Sequence, residues 1–434
     1  QKNGKFPIGL VNSIKKYCND NKLKCITDIK FKNENNYEFD VEKFYYNNLK
    51  GHLELRDYQI ELLREVFIQE KLVGILPTGS GKSLIQYIAT MFFLSKNPNG
   101  KVLIIVPTVA LVNQMFSDFC DYAKNLNANF DKQIHCIYSE QEKQTNKNII
   151  ISTWQSLANL ESKWFKNINF VIGDEAHTST AIVLKSIIEK CINSKFRLGV
   201  SGSLYDQKIN LVQLEGLFGK VNYFTSTKKL IDNGTLSNII IKCLVLKYGM
   251  EDRKIVSHLD YFDEMRFIQE NESRLNYLCN LVSKLKNKNV MVLFKNIEYG
   301  KKIYSKLNEM NLDRNIHYIA GETKSDIREN VRLETNGKED NILIASVGVF
   351  STGINIPSLD LIIFAQNQKS KIKVIQSIGR VLRKTKTKNK AYLIDIVDDL
   401  KYKRRKNFAL KHSLERISIY EKEKFEYSVV EKEI

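Results

Sequence analysis

The stretch Leu72-Val-Gly-Ile-Leu-Pro-Thr-Gly-Ser-Gly-Lys-Ser83 decides the fold, because an apolar strand, a loop of small residues and a helix start follow one another. Small residues let backbone N–H groups close around phosphate oxygens, and the helix dipole adds its positive end. Lys82 is expected to reach the β- and γ-phosphates of a nucleotide, and Ser83 to ligate Mg²⁺. The full GxxxxGKS spacing would put Gly where this chain has Leu76. The loop is therefore the shorter PTGSGKS form, in which the phosphates are cradled by Pro77, Thr78, Gly79, Ser80 and Gly81.

A second apolar strand ends on two carboxylates, in Phe170-Val-Ile-Gly-Asp-Glu-Ala-His177. A carboxylate at the end of a parallel strand can face the phosphate loop. Asp174 is predicted to hold Mg²⁺, usually through water, and Glu175 to polarise an attacking water. His177 alone would more often be a surface or core residue. Within Asp-Glu-Ala-His it is a candidate for coupling the nucleotide site to another lobe.

Apolar strands alternate with amphipathic helices from Leu53 onward, which predicts parallel sheets with both faces covered. The first series of predicted strands is Leu72 to Leu76, Val102 to Val106, Asn148 to Ser152, Phe170 to Gly173 and Arg197 to Ser201. The second is Ile239 to Leu246, Val290 to Phe294, Ile316 to Ile319, Ile342 to Ala345, Leu361 to Phe364 and Ala391 to Ile394. The segment Thr225 to Leu236, with its Asn233-Gly234 turn signal, is the predicted hinge between two α/β lobes.

The second lobe contains Lys373-Val-Ile-Gln-Ser-Ile-Gly-Arg-Val-Leu-Arg383. Gln376, Gly379, Arg380 and Arg383 fall at i, i+3, i+4 and i+7, which is one face of a helix. A basic helix face is the simpler interpretation of an isolated RxxR. Beside a phosphate loop, two arginines predict neutralisation of a transferred γ-phosphate, because guanidinium is always charged and binds phosphate oxygens in a fork.

The composition is that of a globular protein of 434 residues, with 43% hydrophobic and 27% charged residues. No apolar run approaches the ~18 residues that suggest a membrane span. The seven cysteines contain no CxxC pair, which argues against a zinc ribbon or an iron–sulfur cluster and favours free thiols in the cytoplasm. The net charge of +18 is compatible with a polyanionic partner, but an AT-rich genome explains abundant lysine as well.

These motifs make the chain resemble the superfamily 2 helicases from about Leu53 to Ile396. The resemblance implies two tandem RecA-like domains, ATP and Mg²⁺ as cofactors, and a nucleic-acid partner. Leu55-Arg-Asp-Tyr-Gln59 resembles the adenine-contacting motif. It implies that Gln59 reads the base edge and that Arg56 packs beside it.

Further motifs of the family imply coupling and nucleic-acid roles. Ser201-Gly-Ser203 resembles the coupling motif that is normally Ser-Ala-Thr. Gly353 and Asn355 are implied nucleotide-binding residues of motif V, where the family often has Asp in place of Asn355. Nucleic-acid contacts are implied, from motifs Ia, Ib, IV and V, for Thr108, Thr153, Trp154, Lys295, Asn296 and Thr352. Trp154 is a candidate wedge or stacking platform, although a Trp at a strand end is more often packed in the core.

A narrower resemblance is to the recombination helicases of T-even-type phages, through Phe6-Pro-Ile-Gly-Leu-Val and Lys369-Ser-Lys-Ile372 among others. It implies a small N-terminal DNA-binding module, of which this chain holds the latter part. The predicted domains are that truncated module at 1–45, RecA-like domains at 46–226 and 227–400, and a basic helical extension at 401–434.

The expected activity is therefore an ATP-dependent DNA helicase that unwinds or branch-migrates forked and junction DNA in recombination and fork processing, and that also anneals strands. We expect a monomer in the cytoplasm of a bacterial host, with single-strand-binding or recombination proteins as partners and no membrane. Three alternatives stay open at this point: a translocase that does not separate strands, an RNA helicase, and an ATP-independent annealing or architectural protein.

Overall fold

The computed structural model of the chain describes residues 7–24, 37–124, 126, 129–139, 141–176, 182–202, 208–352, 356–366, 371–382, 384, 388 and 390–434. The chain divides into two units, residues 1–226 and 227–434. Among the described helices, none is both long and apolar enough to cross a membrane.

The first unit is a parallel sheet covered by helices. Its described helices are α1 (Val11–Asp20), α2 (Tyr37–Asn48), α3 (Asp57–Gln69), α4 (Lys82–Lys96), α5 (Val109–Ala123), α6 (Trp154–Leu157), α7 (Ile182–Lys190) and α8 (Lys208–Phe218). Its described strands are β1 (Lys71–Ile75), β2 (Lys101–Val106), β3 (Ile134–Ile137), β4 (Ile149–Thr153), β5 (Ile168–Gly173), β6 (Phe196–Ser201) and β7 (Lys220–Tyr223). The strand order is β3-β4-β2-β5-β6-β1-β7, with every pairing parallel.

The second unit has the same architecture. Its described helices are α9 (Thr227–Asp232), α10 (Met250–Val256), α11 (Tyr261–Glu270), α12 (Glu272–Ser283), α13 (Ile297–Glu309), α14 (Ser325–Gly337), α15 (Val347–Thr352), α16 (Lys371–Val381) and α17 (Phe408–Lys422). Its described strands are β8 (Asn238–Lys247), β9 (Val290–Phe294), β10 (Ile316–Ile319), β11 (Ile342–Ser346), β12 (Leu361–Phe364), β13 (Lys390–Asp399) and β14 (Glu426–Glu433). The order is β10-β11-β9-β12-β13-β8-β14, again all parallel.

The strand that leads into the phosphate loop is buried on both faces of its sheet. Leu72 belongs to one hydrophobic cluster, while Val73 and Ile75 belong to the cluster on the other side. Parallel strands covered on both faces read as continuous apolar runs. This burial explains why the strand at 72 to 76 could be predicted from sequence.

The predicted domain boundary at residue 45 falls inside α2. Val41, Tyr45 and Leu49 are buried in the core cluster of the first unit, and the Tyr45 hydroxyl accepts a 3.0 Å hydrogen bond from the Leu55 amide. Helix α2 is therefore part of this unit and not of a separate N-terminal module.

The C-terminal segment also differs from the predicted helical extension at 401–434. Helix α17 is present, but Glu426–Glu433 forms β14, which pairs in parallel with β8 from Glu426↔Ile240 to Glu433↔Lys247. Its side chains are largely exposed and charged, as in an edge strand, so they show no apolar alternation. The segment thus completes the second sheet.

The predicted hinge at Thr225 to Leu236 contains α9 and then the expected turn at Asn233-Gly234. Gly234 has φ 73°, in the left-handed region where glycine is favoured. The division between the two units falls between Ser226 and Thr227, at the start of α9.

Candidate functional site

The loop between β1 and α4 has the backbone conformation that the glycines predict. Gly79 and Gly81 have φ of 83° and 81°, which residues with a Cβ rarely adopt. A Cβ on Gly81 would also lie only 2.5 Å from Nε2 of Gln59. Since Gly81 is immediately followed by α4, the loop opens onto a helix N-terminus, where an anion is stabilised.

Two side chains of α3 hold this loop from the side. The Tyr58 hydroxyl and the Gln59 amide each donate a 2.8 Å hydrogen bond to the Ser80 carbonyl, and Gln59 Oε1 accepts a 2.9 Å bond from the Arg56 amide. In this arrangement both ends of the buried Gln59 amide bind the protein. A base-reading role for Gln59 and packing by Arg56 stay predictions.

Tyr58 is a site residue that sequence reasoning missed. Besides its bond to the loop, its hydroxyl accepts a 3.2 Å hydrogen bond from Arg56. Burial raises the pKa of Tyr58, against the opposing effect of Arg56, so the hydroxyl keeps the proton that it donates to Ser80. The sequence signal that could have identified Tyr58 is its position between Arg56 and Gln59, two residues that were predicted to belong to the site.

Lys82 and Ser83 begin α4 beside the end of β6. The Lys82 Nζ lies 3.5 Å from the Leu76 carbonyl, and a Cβ on Gly202 would lie 3.6 Å from the same Nζ. The Leu76 amide donates a 2.9 Å bond to the Ser201 carbonyl. The Ser83 hydroxyl bonds the Tyr122 hydroxyl at 2.9 Å. Buried Ser201 thus lies next to the phosphate loop.

Asp174 follows β5 and is tied to α4 by a residue that the sequence did not single out. Gln86, one turn after Lys82 and fully buried, donates a 3.0 Å hydrogen bond to Asp174 Oδ1. Burial raises the pKa of Asp174 to about 6, and the Glu175 carboxylate adds to the rise, while Lys82 and Gln86 oppose it. One helix therefore carries both the lysine and the amide that stabilise the ionised carboxylate.

Glu175 adopts a left-handed backbone conformation, with φ 49°. This conformation is uncommon for residues other than Gly, Asn and Asp, and such residues cluster at functional sites.

The arrangement fits a phosphate group together with a divalent cation. The buried Ser80 hydroxyl has no hydrogen-bond partner among the described residues, although it lies in the loop that would surround a phosphate. No group of three or more His, Cys, Asp or Glu side chains able to hold a metal occurs in the described part of the chain. A cation held by Ser83 and Asp174 would therefore take its other ligands from water and phosphate, as Mg²⁺ commonly does.

The predicted nucleic-acid residues lie at strand ends of both units. Thr108 caps α5 by accepting a 3.3 Å hydrogen bond from the Leu111 amide, and the buried Thr153 bonds Ser156 at 2.9 Å. Trp154 is half-buried against the core of the first unit, which favours the packing interpretation. In the second unit, Lys295 is exposed and Asn296 caps α13 by accepting a 3.1 Å bond from the Tyr299 amide.

Arg380 lies on α16 of the second unit, with its guanidinium 5.7 Å from the centre of the Phe350 ring. The predicted buried face of this helix is confirmed, since the four apolar positions are buried: Ile375, Ile378, Val381 and Leu382. Helix α15 ends at Thr352 and α16 contains Gln376, two predicted site residues whose side chains are outside the description. Five predicted site residues lie outside the described residues altogether: His177, Ser203, Gly353, Asn355 and Arg383.

Comparison with known proteins identifies the family. Residues 52–205 match the family model described as the res subunit of type III restriction enzymes, and residues 273–385 match the helicase conserved C-terminal domain. The chain is 34% identical over 440 residues to the ATP-dependent DNA helicase uvsW of Enterobacteria phage T4, covering 97% of this chain and 87% of that protein. The chain belongs to the UvsW family of superfamily 2 helicases.

More distant matches have lower sequence identity. The DNA 3'-5' translocase XPB2 of Sulfurisphaera tokodaii is 22% identical over 388 residues, covering 80% of this chain and 82% of that protein. The structure of Dbp5 from S. cerevisiae bound to RNA and ADP BeF3 matches with a TM-score of 0.61 at 15% identity, covering 90% of this chain and 93% of that one. At that identity only the fold is shared. The predicted fold, two tandem RecA-like domains, is confirmed, as is the prediction of a helicase enzyme.

Proposed function

We propose that this chain is an ATP-driven DNA helicase that unwinds or branch-migrates forked and junction DNA in recombination and fork processing. The observation that carries the proposal is that α4 begins at the phosphate loop with Lys82 and also binds Asp174, through Gln86. The T4 relative of this chain is named an ATP-dependent DNA helicase. Because that relative is encoded by a phage, we expect the motor to work in the cytoplasm of the infected host.

Residues of the first unit would carry the hydrolysis of ATP. The loop amides and Lys82 bind the β- and γ-phosphates, and Ser83 and Asp174 hold Mg²⁺, which neutralises phosphate charge when bound. Glu175 orients and polarises the attacking water. Gln86 favours the ionised form of Asp174 and fixes the direction of its carboxylate. An ionised carboxylate accepts a stronger hydrogen bond from the Gln86 amide than a protonated one does.

Residues of the second unit would neutralise the transferred phosphoryl group, and residues of the first unit would couple hydrolysis to movement on the DNA. We assign the first role to Arg380 and Arg383, with Gln376 on the same helix face. Coupling falls to His177, Ser201 and Ser203. The strand-end residues of both units bind the sugar-phosphate backbone, since a motor that moves along DNA must ignore sequence.

The decisive experiment compares the wild-type chain with Lys82→Ala on one panel of nucleic acids. ATPase rates are measured with single-stranded DNA, duplex, fork, four-way junction and RNA, and strand displacement is followed on the fork. We expect fork and junction DNA to stimulate the wild-type ATPase most, with displaced strand as product. Lys82→Ala should lose the stimulated ATPase and keep DNA binding within a few-fold.

Other outcomes of the same panel would contradict the proposal. DNA-stimulated ATPase without displaced strand would indicate a translocase, and stimulation by RNA alone would indicate an RNA helicase. Strand annealing by Lys82→Ala without ATP, in the absence of any unwinding by the wild type, would indicate an annealing protein.

A further inference from the structure

The second unit contains a pocket of about 510 Å³ that the proposed hydrolysis does not use. It is lined by side chains of α11, the loop after β9, α13 and the loop after β12, among them Tyr261, Phe262, Lys295, Asn296, Lys302 and Gln366. Its volume lies within the range of small-molecule sites in proteins. We call it the switch-point pocket.

The name refers to its place in the sheet. Strands β9 and β12 are neighbours, but the chain leaves β9 through α13 towards β10 on one side, and leaves β12 through α16 to β13 on the other. Open parallel sheets bind ligands in the crevice beyond the carboxyl ends of the strands at such a reversal. The topology alone therefore marks this pocket as a binding site.

Gln366 fixes the floor of the pocket by joining the two loops. Its buried Oε1 accepts hydrogen bonds from the backbone amides of Lys295 and Asn296, the second at 2.8 Å. Asn296 in turn caps α13. The loops that follow β9 and β12 are thus fixed relative to each other before any ligand binds. Binding therefore loses less conformational entropy.

One wall is aromatic and presents its outer ring to solvent. Phe262 is 77% exposed, more than any other large apolar side chain among the described residues. Tyr261 packs edge-on against both Phe262, at 5.4 Å between ring centres, and Phe408, at 5.8 Å. Tyr261 is thereby anchored to α17, and it supports a Phe262 ring that is available for stacking.

The lining also contains cations that suit a phosphate. Lys295 and Lys302 are exposed at the loop after β9 and on α13. The lining has three acidic residues. Asp398 pairs with Arg274 at 2.6 Å and Glu298 with Lys301 at 3.3 Å, while the third, Glu270, is the last residue of α11. Cations and an exposed aromatic ring in one pocket are the combination by which proteins hold single-stranded nucleic acid, through phosphate attraction and base stacking.

We propose that the switch-point pocket holds one nucleotide of single-stranded DNA, with its base stacked on Phe262 and its phosphates beside Lys295 and Lys302. This inference rests on the proposed DNA helicase function and assigns a base-stacking site to the second unit. Stacking accepts every base, so the pocket adds grip without sequence preference.

The test measures binding by the full chain without nucleotide, at one salt concentration, using fluorescence anisotropy. The probes are oligo(dT) and an abasic oligomer of equal length, each titrated with wild type, Phe262→Ala and Phe262→Trp. We expect Phe262→Ala to bind oligo(dT) roughly 10-fold more weakly, as expected for one lost base–aromatic stack, and the abasic oligomer as well as wild type does. Phe262→Trp should restore oligo(dT) binding. Ile192→Ala is the matched control, because Ile192 is 69% exposed outside this pocket.

Each remaining result overturns the inference. Equal oligo(dT) affinity of wild type and Phe262→Ala would show that the ring binds no base. The exposed ring would then be a candidate contact for another protein. Equal losses for oligo(dT) and the abasic oligomer would assign the effect to the backbone. If the wild type binds neither oligomer, the proposed DNA helicase function is contradicted as well. The first two results contradict only the base-stacking site.

Discussion

Gln86 donates a 3.0 Å hydrogen bond to the carboxylate of Asp174, across 88 residues of sequence. Gln86 is fully buried on α4, four residues after Lys82, whereas Asp174 follows β5. The helix that begins at the phosphate loop therefore also orients the carboxylate assigned to Mg²⁺. Partners of this kind hold a ligand in its productive direction without touching the metal.

Replacing Gln86 by Met should weaken the binding of Mg²⁺ with nucleotide and slow turnover, each by roughly 10- to 100-fold. Met has a similar length but no donor, so Asp174 would lose the bond that opposes its protonation. The measurement is the Mg²⁺ dependence of fluorescent ADP binding, alongside steady-state ATPase.

Thr90→Val is the control for the Gln86 variant. Thr90 is buried one turn later on α4, where its hydroxyl bonds the Gln86 carbonyl at 2.8 Å, and it does not contact Asp174. An unchanged Mg²⁺ dependence in Gln86→Met, or an equal loss in Thr90→Val, would show that the amide has no positioning role.

Asp174→Asn should stabilise the first unit while removing its ATPase activity. Burial raises the pKa of Asp174 from 3.8 to about 6, so the folded state holds the proton more tightly than the unfolded chain. The wild type therefore loses folding free energy as the pH rises through that interval. Asn keeps an acceptor for Gln86 and has no charge to bury, which predicts a gain of about 1–3 kcal/mol at pH 8 and about half of it at pH 5.

Urea unfolding followed by tryptophan fluorescence can measure this gain. Both tryptophans, Trp154 and Trp164, lie in the first unit, so the signal reports on that unit alone. A variant that is less stable than wild type at pH 8, or a gain that does not shrink at pH 5, would contradict the assigned cause.

The strands of both sheets differ in how well the sequence predicts them, and burial explains the difference. Central strands such as β2 and β9 are apolar along most or all of their length and buried on both faces, so their runs are visible. Strands β7 and β14 lie at sheet edges with mostly exposed or half-exposed, polar side chains. Short β3 was missed for a similar reason, since two of its four residues are half-exposed.

The candidate site shows the same division. Lys82 and Asp174 could be predicted because local patterns mark them, a glycine loop before a helix and a carboxylate after an apolar strand. Tyr58 and Gln86 act through contacts with residues 22 and 88 positions away. No local pattern encodes such pairings, because they depend on how the helices pack against the sheet.

Arg380→Ala should reduce single-turnover ATP hydrolysis by roughly 10³- to 10⁵-fold, the range found when an arginine that neutralises the transferred phosphoryl group is lost. Nucleotide affinity should change only a few-fold. Arg380→Lys should not restore hydrolysis, because an ammonium cannot present the planar fork of a guanidinium.

Lys384→Ala is the matched control for Arg380. Lys384 is an exposed cation four residues further along, with its Nζ 3.3 Å from the Gly234 carbonyl, and its loss should leave hydrolysis unchanged. Equal rates for Arg380→Ala and wild type would remove Arg380 from the catalytic assignment.

Asp395→Ala should destabilise the second unit, and most visibly its C-terminal helix. Asp395 is fully buried and accepts hydrogen bonds of 2.8 and 2.9 Å from Arg416 and of 2.8 Å from the Tyr420 hydroxyl. Its removal takes a hydrogen-bonded carboxylate away from the buried Arg416 guanidinium, and breaking a buried ion pair in this way typically costs about 3–5 kcal/mol. Hydrogen exchange of the full chain should show reduced protection throughout α17 and β14.

The exposed pair of Lys228 and Asp232 provides the control, because both side chains are about half exposed and lie 2.8 Å apart on α9 of the same unit. Exposed pairs contribute about 0–1 kcal/mol, so Asp232→Ala should leave exchange in α17 unchanged. If residues 401–434 were an extension independent of the sheet, Asp395→Ala would alter exchange only near β13. Loss of protection that extends through α17 into β14 is expected instead, because Arg416 and Tyr420 bind Asp395 directly and β14 continues from the end of that helix.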